Sequence, residues 1–288
     1  SAVNFSVALY ALGASTPTYT KNYTGIAAGA SALYDLEEET NLPNGFWGSA
    51  VVSTASGSIG VVTNLFVGAD SLGAYNAFPQ EAVDDTWYVP LLYVRLGNSL
   101  TTSLAIQNLS GVSIPVGDLS LVCIKNPAAP GAGTISLTNH TAIANNGAYT
   151  FNTLTDTTRF PDAGWYGSCK LQTAGAQDIV VFVQDRFTAN SQQGAYGAVP
   201  GSMSSTNVSV PLVSKRLANG FANTVTIQNL SASTATVTLT YIPSGGGTPI
   251  VRTGLTIGAG ASLIRNFRLP ATELPEITDG WVGSLTVT

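Results

Sequence analysis

One pattern occurs three times and sets the scale on which this chain can fold. It reads Gly-aromatic-x-Gly-Ser: Gly45-Phe46-Trp47-Gly48-Ser49, Gly164-Trp165-Tyr166-Gly167-Ser168 and Gly280-Trp281-Val282-Gly283-Ser284. From Gly45 to Gly164 is 119 residues, and from Gly164 to Gly280 is 116. Solenoid repeats run to roughly 20–50 residues, so each copy here marks a domain-sized unit. Other stretches keep the phase. Val210-Pro211-Leu212 follows Val89-Pro90-Leu91, and Ile227-Gln228-Asn229-Leu230-Ser231 follows Ile106-Gln107-Asn108-Leu109-Ser110, both at an interval of 121. Tyr196 follows Tyr75 at the same interval.

The middle unit divides into short apolar runs separated by turn residues, at 89–94, 101–107, 119–124, 134–137, 147–151, 169–171 and 178–184. Such spacing predicts about seven strands of an antiparallel β-sandwich. The fold class expected is therefore all-β, with tandem immunoglobulin-like antiparallel β-sandwich domains. The boundaries fall at 1–80, 81–200 and 201–288. With the seven strands lettered A to G, residues 1–80 start at a C-like strand and lack A and B. Residues 201–288 run from A to F and lack G, the counterpart of 178–184. The terminal units are thus expected to be incomplete. The only helical signal is a weak run over residues 30–39. Pro90, without an N–H, suits an edge strand or a strand start.

Each motif residue has a physical reading. The first glycine follows a short polar or acidic stretch, as in Asn44-Gly45, Asp162-Ala163-Gly164 and Asp279-Gly280, and suits a turn that needs positive φ. The aromatic residue can bury a large apolar area. The Gly-Ser pair lets a neighbouring backbone come close. Core or inter-domain packing is the reading preferred for the aromatic, and a sugar-stacking platform is the alternative.

Cys123 and Cys169 are the only cysteines. The position after the motif serine is Ala50 in the first copy, Cys169 in the second and Leu285 in the third, so Cys169 is expected to face a core. A disulfide within the middle unit is expected, implying an oxidising compartment. Two reduced cysteines packed as small hydrophobes are the alternative.

Composition narrows the function classes. Charged residues make up 9% of the chain and the net charge is −5. Nucleic-acid binding needs clustered Lys and Arg, and no cluster exists. No apolar run reaches the 18 or more residues of a membrane-spanning helix. Sequons begin at Asn4, Asn22, Asn108, Asn139, Asn207 and Asn229, so glycans are possible partners. Asp35, Glu37, Glu38 and Glu39 form one acidic cluster, without the spacing of a calcium loop. His140, the single histidine, has no companion for a Ser-His-Asp set, and two Cys with one His do not make a zinc site. No cofactor, metal or catalytic residue is expected, and the chain is read as a non-enzyme.

A sandwich lacking a strand exposes unpaired backbone groups and an apolar groove. The expected remedy is β-augmentation by an identical subunit. A donor at one end and an acceptor at the other then propagate into an open fibre. The N-terminal strand over residues 4–12, with Asn4, Phe5, Val7, Leu9 and Ala11, is the expected polymerisation strand. Trp281, Leu285 and Val287 mark the expected acceptor end. Donation by the strand ending at Thr288 is the reverse possibility.

The hydroxyl-rich, lysine-poor all-β composition, the alternating Phe5-Ser6-Val7-Ala8-Leu9 and the incomplete terminal units resemble the secreted β-sandwich subunits of prokaryotic extracellular filaments. Those include donor-strand pili and matrix fibres. The resemblance implies an extracellular, cell-surface homopolymer serving adhesion, biofilm or scaffolding. The alternatives are a carbohydrate- or protein-binding module of a larger surface adhesin, and an S-layer protein.

Overall fold

Alternating apolar and polar residues become strands along the whole chain, in a computed structural model that describes residues 2–67, 71–97, 99–131, 133–189, 192–270 and 274–288. Among these residues there is no α-helix, and the only helical turns are short 3₁₀ segments at Gln80–Ala82 and Gly201–Met203. All strand pairings are antiparallel. The molecule is an all-β protein of antiparallel sheets.

The N-terminal segment contains β1 (Val3–Ala11), β2 (Tyr19–Ile26) and β3 (Gly48–Thr54) in the order β2-β1-β3. A separate hairpin follows, β4 (Val62–Val67) with β5 (Ser71–Asn76). The middle segment carries β6 (Thr86–Val94), β7 (Leu100–Asn108), β8 (Leu119–Lys125), β9 (Thr134–Thr138) and β10 (Ala148–Asn152). It continues with β11 (Trp165–Thr173), β12 (Ile179–Phe187), β13 (Gln192–Gly197) and β14 (Val199–Pro200). One middle sheet runs β14-β6-β11-β8-β9 and the other β10-β7-β12-β13. The last two strands of the hairpin edge, β13 and β14, go beyond the seven expected from the apolar runs.

The C-terminal segment holds β15 (Val208–Ser214), β16 (Thr224–Gln228), β17 (Ala235–Pro243), β18 (Ile250–Ile257), β19 (Ser262–Asn266) and β20 (Val282–Val287). Its sheet β15-β20-β17-β18 repeats the order β6-β11-β8-β9, and its pair β16-β19 repeats β7-β10. In the N-terminal segment β2-β1-β3 repeats β9-β8-β11.

Each segment gathers its own apolar cluster. The middle one is the largest and includes Trp87, Leu92, Leu104, Ile106, Leu121, Phe151, Trp165 and Val181, all fully buried. Burial of a large apolar side chain stabilises by about 1.5–3 kcal/mol. Val213, Leu239, Tyr241 and Phe267 centre the C-terminal cluster, and Val7, Leu9 and Leu42 the N-terminal one. Among the described residues, none of β4 or β5 belongs to the N-terminal cluster.

Cys123 and Cys169 are disulfide-bonded, 46 residues apart in sequence and directly opposite each other on β8 and β11. The same cross-strand place is taken by Leu9 and Ala50 on β1 and β3, and by Tyr241 and Leu285 on β17 and β20. Cys123, Cys169, Leu9, Tyr241 and Leu285 are all buried, as expected for Cys169, whereas Ala50 is exposed. A cross-link enclosing that many residues stabilises by about 4 kcal/mol on chain-entropy grounds.

Two sequence expectations meet specific local facts. Residues 30–39 form no helix. Leu33 is 83% exposed and Leu36 is also exposed, so a helix here would have no apolar face to bury. Residues 31–35 lie 117 positions before β10, and the strand that β10 pairs with, β7, has no counterpart in this segment. Pro90 lies within β6, past the Trp87 and Tyr88 positions paired to β14. Pro90 falls in the irregularity between Val89 and Leu92 of the β6–β11 ladder, where a missing N–H interrupts no regular pairing.

Candidate functional site

The three motif copies share one geometry. Gly45, Gly164 and Gly280 have φ of 79°, 81° and 82°, the left-handed region that glycine enters without a Cβ penalty. At the second glycines a Cβ would strike the carbonyl oxygen of Tyr10, Ile124 or Ile242 on the adjacent strand, for Gly48, Gly167 and Gly283 respectively. Trp165 is fully buried in the middle cluster, while Phe46 and Trp281 pack at the margins of theirs. The aromatic ring thus packs into an apolar cluster in every copy.

The motif serines connect one segment to the next. Ser49 Oγ donates to the Asn146 carbonyl at 2.6 Å, and Gln107 Nε2 donates to the same carbonyl at 3.2 Å and to the Ala50 carbonyl at 3.4 Å. One unit later, Ser168 Oγ donates to the Gly260 carbonyl at 2.8 Å. Gln228 Nε2 donates to that carbonyl at 3.1 Å and to the Cys169 carbonyl at 3.2 Å. Asn146 and Gly260 both have positive φ, 63° and 68°, which aims the shared carbonyl at the preceding segment. A Ser262 hydroxyl to the Pro90 carbonyl, 2.6 Å, completes the second joint. Ser284 makes no such bond among the described residues. Sequence reasoning used Gln107 and Gln228 only to measure the repeat; their retention inside Ile-Gln-Asn-Leu-Ser was the available signal for the joint.

The segments differ most beside β16. In the middle sheet β7 is paired on both edges, to β10 at one and β12 at the other. Its counterpart β16 is paired to β19 alone among the described residues. The consequence is visible in burial. Leu104 and Ile106 on β7 are fully buried, whereas Val225 and Ile227, 121 residues later, are half-buried. Trp87 is 0% exposed and its counterpart Val208 is 48% exposed. Val89 is buried and Val210 half-buried. An open strand position therefore runs along β16, with β15 across from it. Its chemistry is a row of unpaired N–H and C=O groups above an apolar floor, which suits an alternating strand and nothing charged.

The residues named from sequence fall as follows. Leu285 and Val287 are buried on β20, which is paired on both edges, to β15 and to β17. With Trp281, whose ring meets Tyr241 edge-on at 6.1 Å, they form the facing layer of the core and not the open edge. Asn4, Phe5, Val7, Leu9 and Ala11 lie on β1, the central strand of β2-β1-β3. Phe5, Val7 and Leu9 lie in register opposite Tyr23, Lys21 and Tyr19 on one side and Thr54, Val52 and Ala50 on the other, so both edges of β1 are laddered.

The sequons separate into two groups. Asn108, Asn139 and Asn229 are buried, and each side-chain nitrogen donates to backbone carbonyls: Val112 and Ile143, Pro115 and Thr141, and Ser233 and Ile257. These asparagines pin turns, and a glycan on them is incompatible with the folded chain. Asn4, Asn22 and Asn207 are exposed.

Three titratable groups outside the joints have defined partners. His140 Nδ1 is 2.7 Å from the Tyr149 hydroxyl, which also receives an Arg159 hydrogen bond. Asp185 on β12 accepts from the Thr102 hydroxyl in a pocket with Tyr93 and Tyr196, and burial pushes its carboxyl up to about 7. Glu39 of the acidic cluster accepts from Tyr34 and Asn41 and pairs with Lys21 at 3.7 Å. No helix among the described residues is long and apolar enough to cross a membrane. No family model and no curated protein matches this chain.

Proposed function

We propose that this chain is the structural subunit of an extracellular, cell-surface filament built from tandem immunoglobulin-like sandwich units, polymerising head to tail by β-strand donation between identical subunits. The observation that carries the reading is the open strand position beside β16, next to the filled equivalent beside β7 in the same molecule. A paired strand there would cover Val208, Val210, Val225 and Ile227, as β12 covers Trp87, Val89, Leu104 and Ile106. The unused joint donor, Ser284, belongs to the same segment. The low charge of the chain, 9%, suits contacts made by backbone pairing and apolar burial. The disulfide is compatible with an oxidising compartment.

Purified chain of residues 1–288 is expected to form filaments or a head-to-tail oligomer series, seen by negative-stain electron microscopy and light scattering. A monomer at all attainable concentrations, whose open position is filled only when the chain is extended beyond Thr288, would overturn the reading. A second reading, a glycan-binding module, has one observation in its favour. Phe5 and Tyr23 stack at 4.8 Å and 19° in an open groove that also contains Asn4 and Asn22. Glycan-array binding by a non-assembling monomer would favour it.

A further inference from the structure

We infer that the strand entering the open position beside β16 is β4 of a second copy, delivered as the β4–β5 hairpin. This rests on the assembly reading above and names its donor.

The inventory of strands points to the hairpin. The chain holds two A–B sets, β6 with β7 and β15 with β16, and two hairpins of the β12–β13 type. Only β7 shares a sheet with a hairpin, in β10-β7-β12-β13. The β4–β5 hairpin forms a two-stranded sheet by itself, and β16 has one free edge. The unmatched hairpin and the unmatched edge are the two halves of the sheet already assembled in the middle segment.

Register supports the same match. Thr63 lies opposite Tyr75 in the β4–β5 hairpin, and Val183 lies opposite Tyr196 in β12–β13. Tyr75 and Tyr196 are the repeat-equivalent tyrosines, so Ile59, Val61, Thr63 and Leu65 correspond to Ile179, Val181, Val183 and Asp185. The three β12 positions Ile179, Val181 and Val183 are fully buried under β7. The stretch running into β4 offers Ile59 and Val61, and β4 itself offers Thr63, with Leu65 where β12 carries an acid. In the middle sheet Val181 faces Ile106 and Phe182 faces Ala105. The same register places Val61 of one copy opposite Ile227 of the other, and Val62 opposite Thr226.

The hairpin is also the available strand. It contributes nothing to the N-terminal apolar cluster and rests on the outer face of β12–β13. There Tyr75 stacks on Phe182 at 4.1 Å, and Gln193 donates to the Leu65 carbonyl at 2.7 Å. The edge of β4 away from β5 has no strand partner among the described residues. Withdrawing it gives up its packing against β13 and Phe182 but breaks no strand ladder to the rest of the molecule, whereas withdrawing β1 would break two. With Ile59 to Leu65 inserted, residues 55–58 remain as the tether to β3, a stretch that reaches roughly 13 Å when extended. Because both donor and acceptor belong to every copy, the contact is heterologous and continues into a fibre.

Three single-cysteine variants test the donor. V62C, S6C and T226C place a thiol on the outward face of β4, β1 and β16, and none disturbs the buried Cys123–Cys169 bond. Unfolding scans and far-UV circular dichroism first establish that each variant folds as the parent. A mixture of V62C and T226C under mild oxidation should give a covalent heterodimer on a non-reducing gel that neither gives alone. V61D, carrying a charge on the core-facing side of the hairpin, should abolish assembly without changing the dichroism spectrum. If the chain assembles but only S6C with T226C cross-links, or if V61D assembles normally, the hairpin assignment fails and strand donation stands. If no variant cross-links and the parent stays monomeric, donation itself fails.

Discussion

At Asp185 a single carboxyl sits where the alternating face of β12 otherwise presents Ile179, Val181 and Val183 to the core. Burial holds it up to about 7, against roughly 3.9 for an unfolded aspartate. The unfolded chain therefore releases this proton from about pH 4 upward while the folded chain keeps it until about pH 7. Over that window the unfolded state binds fewer protons, so stability falls as pH rises. Asp185→Asn removes the titration and keeps an oxygen for the Thr102 hydroxyl. The variant should match the parent near pH 4 and exceed it at pH 7.5 by at most about 4 kcal/mol. Denaturant midpoints at the two pH values read this directly. A parent whose stability does not decline between them would contradict the assignment.

Strands and joints carry the next level. The two segment joints use a serine from one unit and a glutamine from the next on one shared carbonyl, at Asn146 and again at Gly260. Ser168→Ala with Gln228→Ala removes the three hydrogen bonds that meet at Gly260 and Cys169, each worth about 1 kcal/mol net. Hydrogen exchange should speed up along β16 and β19 and remain unchanged in β7 and β12. Equal protection of β16 and β19 in variant and parent would show that the joint does not hold them.

Strands were the legible part of this level, because alternation in Phe5-Ser6-Val7-Ala8-Leu9 and in Asp178-Ile179-Val180-Val181 reads on the sequence alone. The repeat interval also foretold the core placement of Cys169. Three things were not legible. Pairing partners of β1 depend on loops that bring β2 and β3 to its two edges, and no local pattern encodes them. Asn108 and Asn22 sit in sequons of the same form, yet one is buried against Val112 and Ile143 while the other is exposed. The helical run over residues 30–39 had the composition of a helix but no surface to pack against.

The proposed assembly, at the scale of the whole molecule, has a physical signature set by what the open position contains. Its edge is backbone and its floor is Val208, Val210, Val225 and Ile227, with no charged side chain among them. Surface ion pairs are screened within about 8 Å at physiological salt and more at higher salt, whereas buried backbone ladders and apolar contacts are not. Apolar burial strengthens in the presence of excluded salts such as sulfate. Filament formation by this chain should therefore persist from low salt to about 1 M sodium chloride and increase with ammonium sulfate. Pelleting assays across the two salt series measure it. A steep loss of pelleted material in sodium chloride would assign the subunit contact to charged side chains elsewhere on the surface, and strand donation into the β16 position would no longer account for the fibre.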